Sequence, residues 1–352
     1  MKTKLLLLLG MMACSVITTT AQPQQRRERP RRMAYQTDTV MVHDPVMAYE
    51  NGTYYLLSTG NGVQWATSKD RKTWVIQPLP FIENIPEWTR DSVPGLRSHL
   101  WAPDIVRWHD RWWLAYSCST FGKNTSAIGL MSSERLNGHW RDEGCLVASK
   151  EHRDNWNAID PCFVVDDNDQ LWLTWGSFWD GIQLAQIKSE DMGVRNPTST
   201  LSLLVPNSIR TIARRYRADD PNAAENPTSK FAGRNAIEAP FIMKHHGYYY
   251  LFVSWDYCCR GAQSNYRVAV GRSKHVEGPY LDKEGRNLLD GGGTLILEGD
   301  KQQFEAAGHC AAYSLPDGDL FICHGYSVGL NGASILLQKP ITWTPDGWPS
   351  LQ

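Results

Sequence analysis

The sequence has little net charge and no long hydrophobic run. Its 36 Lys and Arg nearly balance its 37 Asp and Glu, which leaves a formal net charge of −1. The chain carries no strongly basic block beyond its N-terminal segment, so nucleic acid is not expected as a partner. The apolar stretch at residues 5–17 is too short to anchor the chain across a bilayer, so no transmembrane segment is predicted.

The cysteines lack the spacing of a zinc site. Cys118, Cys162, Cys310 and Cys323 lie inside apolar strand patterns, where we expect them to act as small packing residues. Adjacent cysteines at 258 and 259 allow a vicinal disulfide, and the sequence leaves their redox state open. No metal is assigned to a cysteine.

Residues 1–21 are predicted to be a signal peptide, because a short basic start and an apolar stretch precede small residues before position 22. Cys14 stands in an imperfect lipoprotein cleavage box. A soluble exported protein, periplasmic or extracellular, is favoured over one anchored by lipid at Cys14. Residues 22–39 are polar and basic and are interpreted as a flexible tether.

From residue 40 to residue 352 one pattern occurs five times. A fixed opening leads into an apolar run, a turn rich in Gly, Asn, Asp or His, and a second run of aromatic and aliphatic residues. The openings are His43-Asp44-Pro45, Trp101-Ala102-Pro103, Ile159-Asp160-Pro161, Glu238-Ala239-Pro240 and Gly308-His309-Cys310. Five copies of a hairpin unit predict an all-β fold, a five-bladed β-propeller forming one domain.

In a propeller the first strand of every blade lines the axis, so equivalent positions of the five openings should meet there. Three carboxylates (Asp44, Asp160, Glu238) and two histidines (His43, His309) fall in or beside this ring. Gathered carboxylates are costly unless a ligand, a metal or a proton compensates them, so the ring is predicted to be the site. A single Asp-Pro pair is a common strand-start device, because Pro restricts the residue before it to extended conformations. Two Asp-Pro pairs at equivalent positions of the repeat favour a functional role for these residues instead.

Three turns that follow second strands combine Ser, an aromatic residue and Gly, and we expect them to form the rim of one cleft. They lie at residues 117–122, 175–181 and 254–261. Two long connections stand out as well. Residues 78–98 are expected to wall the site, and residues 198–234 are interpreted as a patternless loop between the third and fourth blades.

At these residues the chain resembles glycoside hydrolase family 43, and within it the endo-acting α-1,5-L-arabinanases. The resemblance covers about residues 40–350 and is most specific in three segments: Asn157-Ala158-Ile159-Asp160-Pro161, Ser177-Phe178-Trp179 and Cys258-Cys259-Arg260-Gly261. One departure is Ser327, where arabinanases often carry Asp.

The resemblance implies a role for each site residue. Asp44 would be the general base, Glu238 the general acid, and Asp160 the third carboxylate, which raises the pKa of the acid and orients the substrate. His309 would contact a metal ion, a calcium near the axis. Substrate-binding positions would be His43, Trp101, Phe121, Asn157, Ala158, Ile159, Ser177, Phe178, Trp179 and Cys258.

The implied reaction is inverting hydrolysis of internal bonds in plant cell-wall arabinan or arabino-oligosaccharides, catalysed by a monomer. Inversion requires the carboxyl groups of Asp44 and Glu238 to stand roughly 6.5–9.5 Å apart, with room for a water. The alternatives are an exo-acting α-L-arabinofuranosidase or β-xylosidase of the same family, a non-catalytic sugar-binding propeller, and a retaining fructan-cleaving propeller. The last would carry Arg-Asp-Pro where Ile159-Asp160-Pro161 stands.

Overall fold

The described residues form five antiparallel sheets, as the five copies predict. The computed structural model describes residues 33–188, 192, 204, 205, 207–217 and 234–352. The predicted signal peptide therefore lies outside the described residues, as do most of the predicted tether and much of residues 198–234.

The first two sheets come from residues 35–149. The elements in chain order are β1 (Tyr35–Thr37), β2 (Val46–Glu50), β3 (Thr53–Ser58), β4 (Gly60–Asn61), β5 (Gln64–Ser68), β6 (Trp74–Ile76), α1 (Trp88–Ser92), β7 (His99–Trp108), β8 (Arg111–Cys118), β9 (Ser126–Ser133) and β10 (Arg141–Ser149). The first sheet runs β2-β3-β5-β6-β1 from the axis outward. The second runs β7-β8-β9-β10, with β4 on the other side of β7.

The remaining three sheets each contain four strands in chain order. Their strands are β11 (Cys162–Val165), β12 (Leu171–Trp175), β13 (Ile182–Gln186), β14 (Arg210–Ala213), β15 (Ile237–His245), β16 (Tyr248–Trp255), β17 (Arg267–Ser273), β18 (Thr294–Leu297), β19 (Phe304–Leu315), β20 (Gly318–Ser327), β21 (Ala333–Trp343) and β22 (Pro349–Leu351). Short 3₁₀ helices occupy Gly261–Gln263 and Leu288–Asp290.

Two boundaries differ from the sequence prediction. Residues 35–37 belong to the first sheet, because β1 pairs with β6 along Tyr35–Thr37. The folded unit therefore starts before residue 40, inside the predicted tether. Residues 198–234 are not all loop either, because β14 pairs with β13 and forms the outer strand of the third sheet.

The first strands of neighbouring sheets contact each other around the axis, in the order β2, β7, β11, β15, β19 and back to β2. The ring is closed by residues 40–42, which pair with β21 of the fifth sheet. Val42 N donates to Ser334 O, and Leu336 N donates to Val40 O. The two ends of the propeller are thereby held in one sheet.

The second strand of each sheet has a continuous apolar stretch because both of its faces are buried there. In β3, Tyr55 and Leu57 pack against the second sheet, while Leu56 packs against the fifth. In β8, Leu114 faces the first sheet and Ala115 the third. Alternation of side chains along a strand thus supplies two inter-sheet cores at once.

Packing confirms the expectation for the cysteines of the strands. Trp74 and Tyr280 are buried in inter-sheet cores as well. Cys118, Cys162, Cys310 and Cys323 are buried thiols, while Cys258 and Cys259 are paired as a vicinal disulfide. Within the described ranges, no helix has the length and apolar character needed to cross a membrane.

Candidate active site

Five residues around the axis share a left-handed backbone. They occupy the position before the Pro or its equivalent and are called the ring residues below: Asp44 (φ 55°), Ala102 (φ 41°), Asp160 (φ 57°), Ala239 (φ 53°) and His309 (φ 51°). The extended conformation expected before Pro is therefore wrong at four of these positions. Left-handed non-Gly residues cost on the order of 1–3 kcal/mol each and persist where the surroundings hold them.

Hydrogen bonds between sheets hold these turns. The N–H of each ring residue donates to a side chain of the preceding sheet. The pairs are Asp44 to His324 Nδ1 (3.1 Å), Ala102 to Thr59 Oγ1 (2.8 Å), Asp160 to Ser117 Oγ (3.0 Å), Ala239 to Asp160 Oδ2 (3.1 Å) and His309 to Ser254 Oγ (2.9 Å). The ring is thus latched from sheet to sheet around the axis.

In the third sheet, the side chain that accepts the N–H of the next ring residue comes from a different position than in the other sheets. Thr59, Ser117, Ser254 and His324 stand at the same register position, across from the residue that precedes each ring residue. In the third sheet that position is Gly176, whose N–H donates to Ile159 O. Gly176 has φ 134°, and a Cβ there would lie 2.4 Å from Gly181 O. The position therefore has no side chain, and the carboxylate of Asp160 accepts the Ala239 N–H in its place.

A cavity of about 620 Å³ opens at this ring. Its lining includes His43, Asp44, Thr59, Trp101, Phe121, Lys123, Asn157, Ile159, Asp160, Ser177, Phe178, Trp179, Glu238, Tyr257, Cys258, Arg260 and His309. The three predicted rim turns do converge here, through residues 119–123, 177–179 and 257–260.

Two site predictions fail. Ala158 is fully buried and does not line the cavity, because its N–H donates to Ser149 Oγ beneath the surface. Residues 78–98, all described, are absent from the lining as well. Their apolar side chains pack between the first and second sheets, and their polar side chains border a separate cavity of about 580 Å³.

Asp44 is held as a carboxylate by three donors. His43 Nδ1 and His309 Nδ1 each lie 3.0 Å from Oδ1, and the Thr59 hydroxyl donates to Oδ2. Burial would raise the pKa of Asp44, but the positive charge of His309 and the hydrogen bonds from His309 and His43 outweigh burial and hold it well below its usual range. Asp44 is the ionised carboxylate of the site.

Glu238 has the opposite tendency. It lies at the start of β15, where Ser177 pairs with it in an isolated bridge, and Ser177 Oγ donates to Oε2 at 2.6 Å. Burial raises the pKa of Glu238, although hydrogen bonds from Ser177 and Tyr266 oppose that rise. The site therefore holds one carboxyl whose pKa is lowered and one whose pKa is raised, the pairing that acid–base chemistry uses.

The pKa of Asp160 is also raised, well above its usual range. Burial is the main cause; His309 opposes it, while Glu238 and Asp44 add to it. The side chain is 7% exposed, and its Oδ2 accepts from the next sheet as described. Asp160 is therefore both a buried acid beside Glu238 and a structural link to the strand that carries Glu238.

His309 is a cation at neutral pH. Burial disfavours its charge, but the carboxylate of Asp44, the hydrogen bond to it, and the charges of Asp160 and Glu238 raise the pKa of His309 to about 9. Its positive charge compensates part of the carboxylate cluster.

The described residues of the ring do not offer the shell of protein oxygens that the predicted calcium ion would need. Calcium takes about six to eight oxygen ligands. Among the described residues, the potential ligands gathered near the ring are His43, Asp44 and His324, which offer two nitrogens and one carboxylate. These atoms already hydrogen-bond to one another or to the backbone. The residues do not fit a calcium site built from protein atoms. The ion therefore stays a prediction, and the proposed reaction does not involve it.

Several residues of the site were not predicted as such. They are Thr59 and Lys123 in the cavity wall, and Tyr266, His324 and Tyr326 behind it. Thr59 and His324 could have been found by aligning the ends of the second strands, where Ser117 and Ser254 occupy the same position. No sequence signal distinguishes Lys123 from other surface lysines.

Known proteins are similar to this chain over the same residues. A family model described as "Glycosyl hydrolases family 43" matches residues 39–349. The extracellular exo-α-(1→5)-L-arabinofuranosidase of Cellvibrio japonicus is 40% identical, over 89% of this chain and 86% of its own length. The extracellular endo-α-(1→5)-L-arabinanase 1 of Bacillus subtilis is 36% identical, over 96% and 94%. Among solved structures, an exo-1,5-α-L-arabinanase from a bovine ruminal metagenomic library superposes with a TM-score of 0.79 and 45% identity, covering 90% of this chain and 98% of that one.

Proposed function

The chain belongs to glycoside hydrolase family 43, and on that premise we propose that it hydrolyses internal α-1,5-L-arabinofuranosidic bonds of arabinan with inversion. The observation that carries the proposal is the opposite pKa tendency of two carboxyls in one cavity. Against the effect of burial, hydrogen bonds and the charge of His309 lower the pKa of Asp44, whereas burial raises the pKa of Glu238. Both carboxyls line the same cavity as His309.

In this mechanism Asp44 is the general base. Its Oδ1 accepts two histidine N–H groups and its Oδ2 one hydroxyl, which leaves a lone pair on Oδ2 for the attacking water. Because the carboxylate is fixed by three donors, its orientation is set before the substrate binds. It takes a proton from the water as oxygen attacks the anomeric carbon.

Glu238 is the general acid that protonates the departing oxygen. Burial raises its pKa, which favours the protonated form that an acid needs. Ser177 donates to Oε2 at 2.6 Å and so holds the orientation of the carboxyl. The separation of the two carboxyls remains expected at roughly 6.5–9.5 Å, as inversion requires.

The endo mode is the expectation from the family resemblance, and an endo-arabinanase is 36% identical to this chain. The exo mode is a second candidate. The relatives named exo are 40% and 45% identical to this chain, against 36% for the endo-arabinanase. Both candidates use the same carboxyls and the same linkage.

A time course of products from debranched, linear α-1,5-arabinan distinguishes them. Endo action is expected to give a ladder of oligosaccharides that shortens with time. Release of arabinose or one short product from the first minutes would favour the exo candidate. Glu238→Gln serves as the inactive control, with an expected loss of about 10²- to 10⁴-fold. Binding without any cleavage by the wild type would overturn the proposal.

We also propose that the protein is exported and acts as a monomer. Export is supported by the relatives, which are named extracellular. Light scattering on purified protein tests the monomer, and N-terminal sequencing of the exported protein tests cleavage after residue 21. Elemental analysis tests calcium, for which one ion per chain is the expectation from the family resemblance.

A further inference from the structure

The hydroxyl of Tyr326 lies behind Asp44 and joins three groups. Tyr326 is 3% exposed, and its ring packs with Tyr266 and Ala306. The hydroxyl oxygen lies 2.7 Å from Cys259 N, 2.9 Å from His43 Nε2 and 3.3 Å from His324 Nε2. Cys259 belongs to the disulfide turn of the cavity wall, so one phenol connects the wall with the partly exposed His43 and the buried His324.

The direction of each hydrogen bond follows from the backbone. Asp44 N–H is a donor, so His324 Nδ1 accepts it and carries no proton. His324 is fully buried, and burial holds its pKa well below the usual range. It is therefore neutral, with its proton on Nε2, and Nε2–H donates to the phenol oxygen of Tyr326.

The phenol oxygen then has two donors, because Cys259 N–H donates to it as well. Its two lone pairs are used, and a third donor would have no acceptor. His43 Nε2, at 2.9 Å, must therefore accept the phenol proton. The hydroxyl of Ser264 is also near, but giving the phenol proton to Ser264 would force His43 to be that third donor.

With Nε2 as an acceptor, His43 carries its proton on Nδ1, where it points to Asp44 Oδ1 at 3.0 Å. We infer that Tyr326 is a positioning residue for the base: its hydroxyl holds the Nε2 edge of the His43 ring, and the Nδ1–H of that ring holds the carboxylate of Asp44. The inference rests on the proposed function and adds to it a residue that does not itself line the cavity.

Tyr326→Phe removes the hydroxyl and keeps the packed ring. The matched control is Tyr280→Phe, because Tyr280 is also buried and its hydroxyl donates to Val276 O at 2.7 Å, in the core between the third and fourth sheets. Losing a hydrogen bond that orients a charged group costs about tenfold to hundredfold in rate. On linear arabinan, Tyr326→Phe should lower kcat by that factor with less than about threefold change in KM. Tyr280→Phe should keep the wild-type kcat.

A second readout does not depend on the substrate. In protein labelled with ¹⁵N-histidine, the His43 signals are assigned by their loss in His43→Gln. Wild type should show His43 protonated at Nδ1, and Tyr326→Phe should shift the Nε2 signal, because that nitrogen loses its hydrogen bond. Unchanged His43 signals, or an unchanged kcat, would overturn the inference. Shifted signals in an enzyme that leaves arabinan intact would overturn the proposed function and keep the hydrogen-bond assignment.

Discussion

Asp160 Oδ2 accepts a hydrogen bond from Ala239 N at 3.1 Å, across the boundary between the third and fourth sheets. Ala239 is the residue next to Glu238. The third carboxylate therefore holds the backbone of the general acid, in addition to the electrostatic role that the family resemblance implies.

The two roles of Asp160 separate in a pair of variants. Asp160→Asn keeps an oxygen that can accept from Ala239 N–H, whereas Asp160→Ala leaves this buried N–H without a partner, at a cost of about 1–3 kcal/mol. Both variants should lose activity, but Asp160→Ala alone should show a clearly lower Tm. Thermal unfolding followed by circular dichroism measures the difference. Equal Tm values for the two variants would show that the latch adds nothing to stability.

Ser177→Ala should move the alkaline limb of the kcat profile to higher pH. Ser177 donates to the ionised form of Glu238 and so lowers the pKa of this carboxyl against the effect of burial. Without that donor the pKa of Glu238 rises further, and the acid retains its proton to a higher pH. Initial rates on linear arabinan between pH 5 and 10 give the limb. A shift to lower pH would contradict the assignment of Glu238 as the acid.

Thr59 should be needed for its hydroxyl and not for its methyl group. Oγ1 accepts from Ala102 N–H at 2.8 Å and donates to Asp44 Oδ2. Thr59→Val keeps the shape and removes both bonds, so kcat should fall by about tenfold to hundredfold. Thr59→Ser keeps both bonds and should retain most of the activity. If Ser and Val variants behave alike, the methyl packing and not the hydroxyl is what matters.

The free energy of unfolding should fall in alkaline solution because His309 loses its proton there. Its pKa rises from an ordinary 6.5 to about 9 on folding. The stabilisation is therefore complete below pH 6.5 and is lost as pH rises through 9. A shift of that size corresponds to roughly 3 kcal/mol. Urea unfolding at pH 6.5 and pH 10 should show this loss in the wild type, and a smaller one in His309→Gln, which serves as the control for other titrating groups.

The sequence was sufficient for the architecture because the fold repeats. Five openings with a shared Pro or Cys gave five sheets, and the register of Asp44, Asp160 and His309 followed from it. Glu238, one residue earlier in its opening, was found from the same alignment. Repetition converts distance along the chain into proximity in space, which a single copy does not allow.

What the sequence did not predict is set by contacts between sheets. The preference of a residue before Pro for extended backbone is a local effect, and at Asp44 and Asp160 it is outweighed by the hydrogen bonds that their N–H groups donate to the preceding sheet. Thr59, His324 and Tyr326 look like ordinary polar residues at strand ends, and only the closed ring brings them to Asp44. The packing of residues 78–98 between two sheets likewise depends on partners distant in sequence.

The pairing of residues 40–42 with β21 also dictates an order of assembly. During synthesis residues 40–42 emerge early, but their partner strand β21, around residue 335, emerges almost last. Asp44 lies two residues after this segment. His324, which accepts the Asp44 N–H, and Tyr326, which hydrogen-bonds to His43, both belong to that last sheet. The base is therefore the last part of the catalytic apparatus to be completed, and a chain interrupted before its final sheet carries an acid with no oriented base.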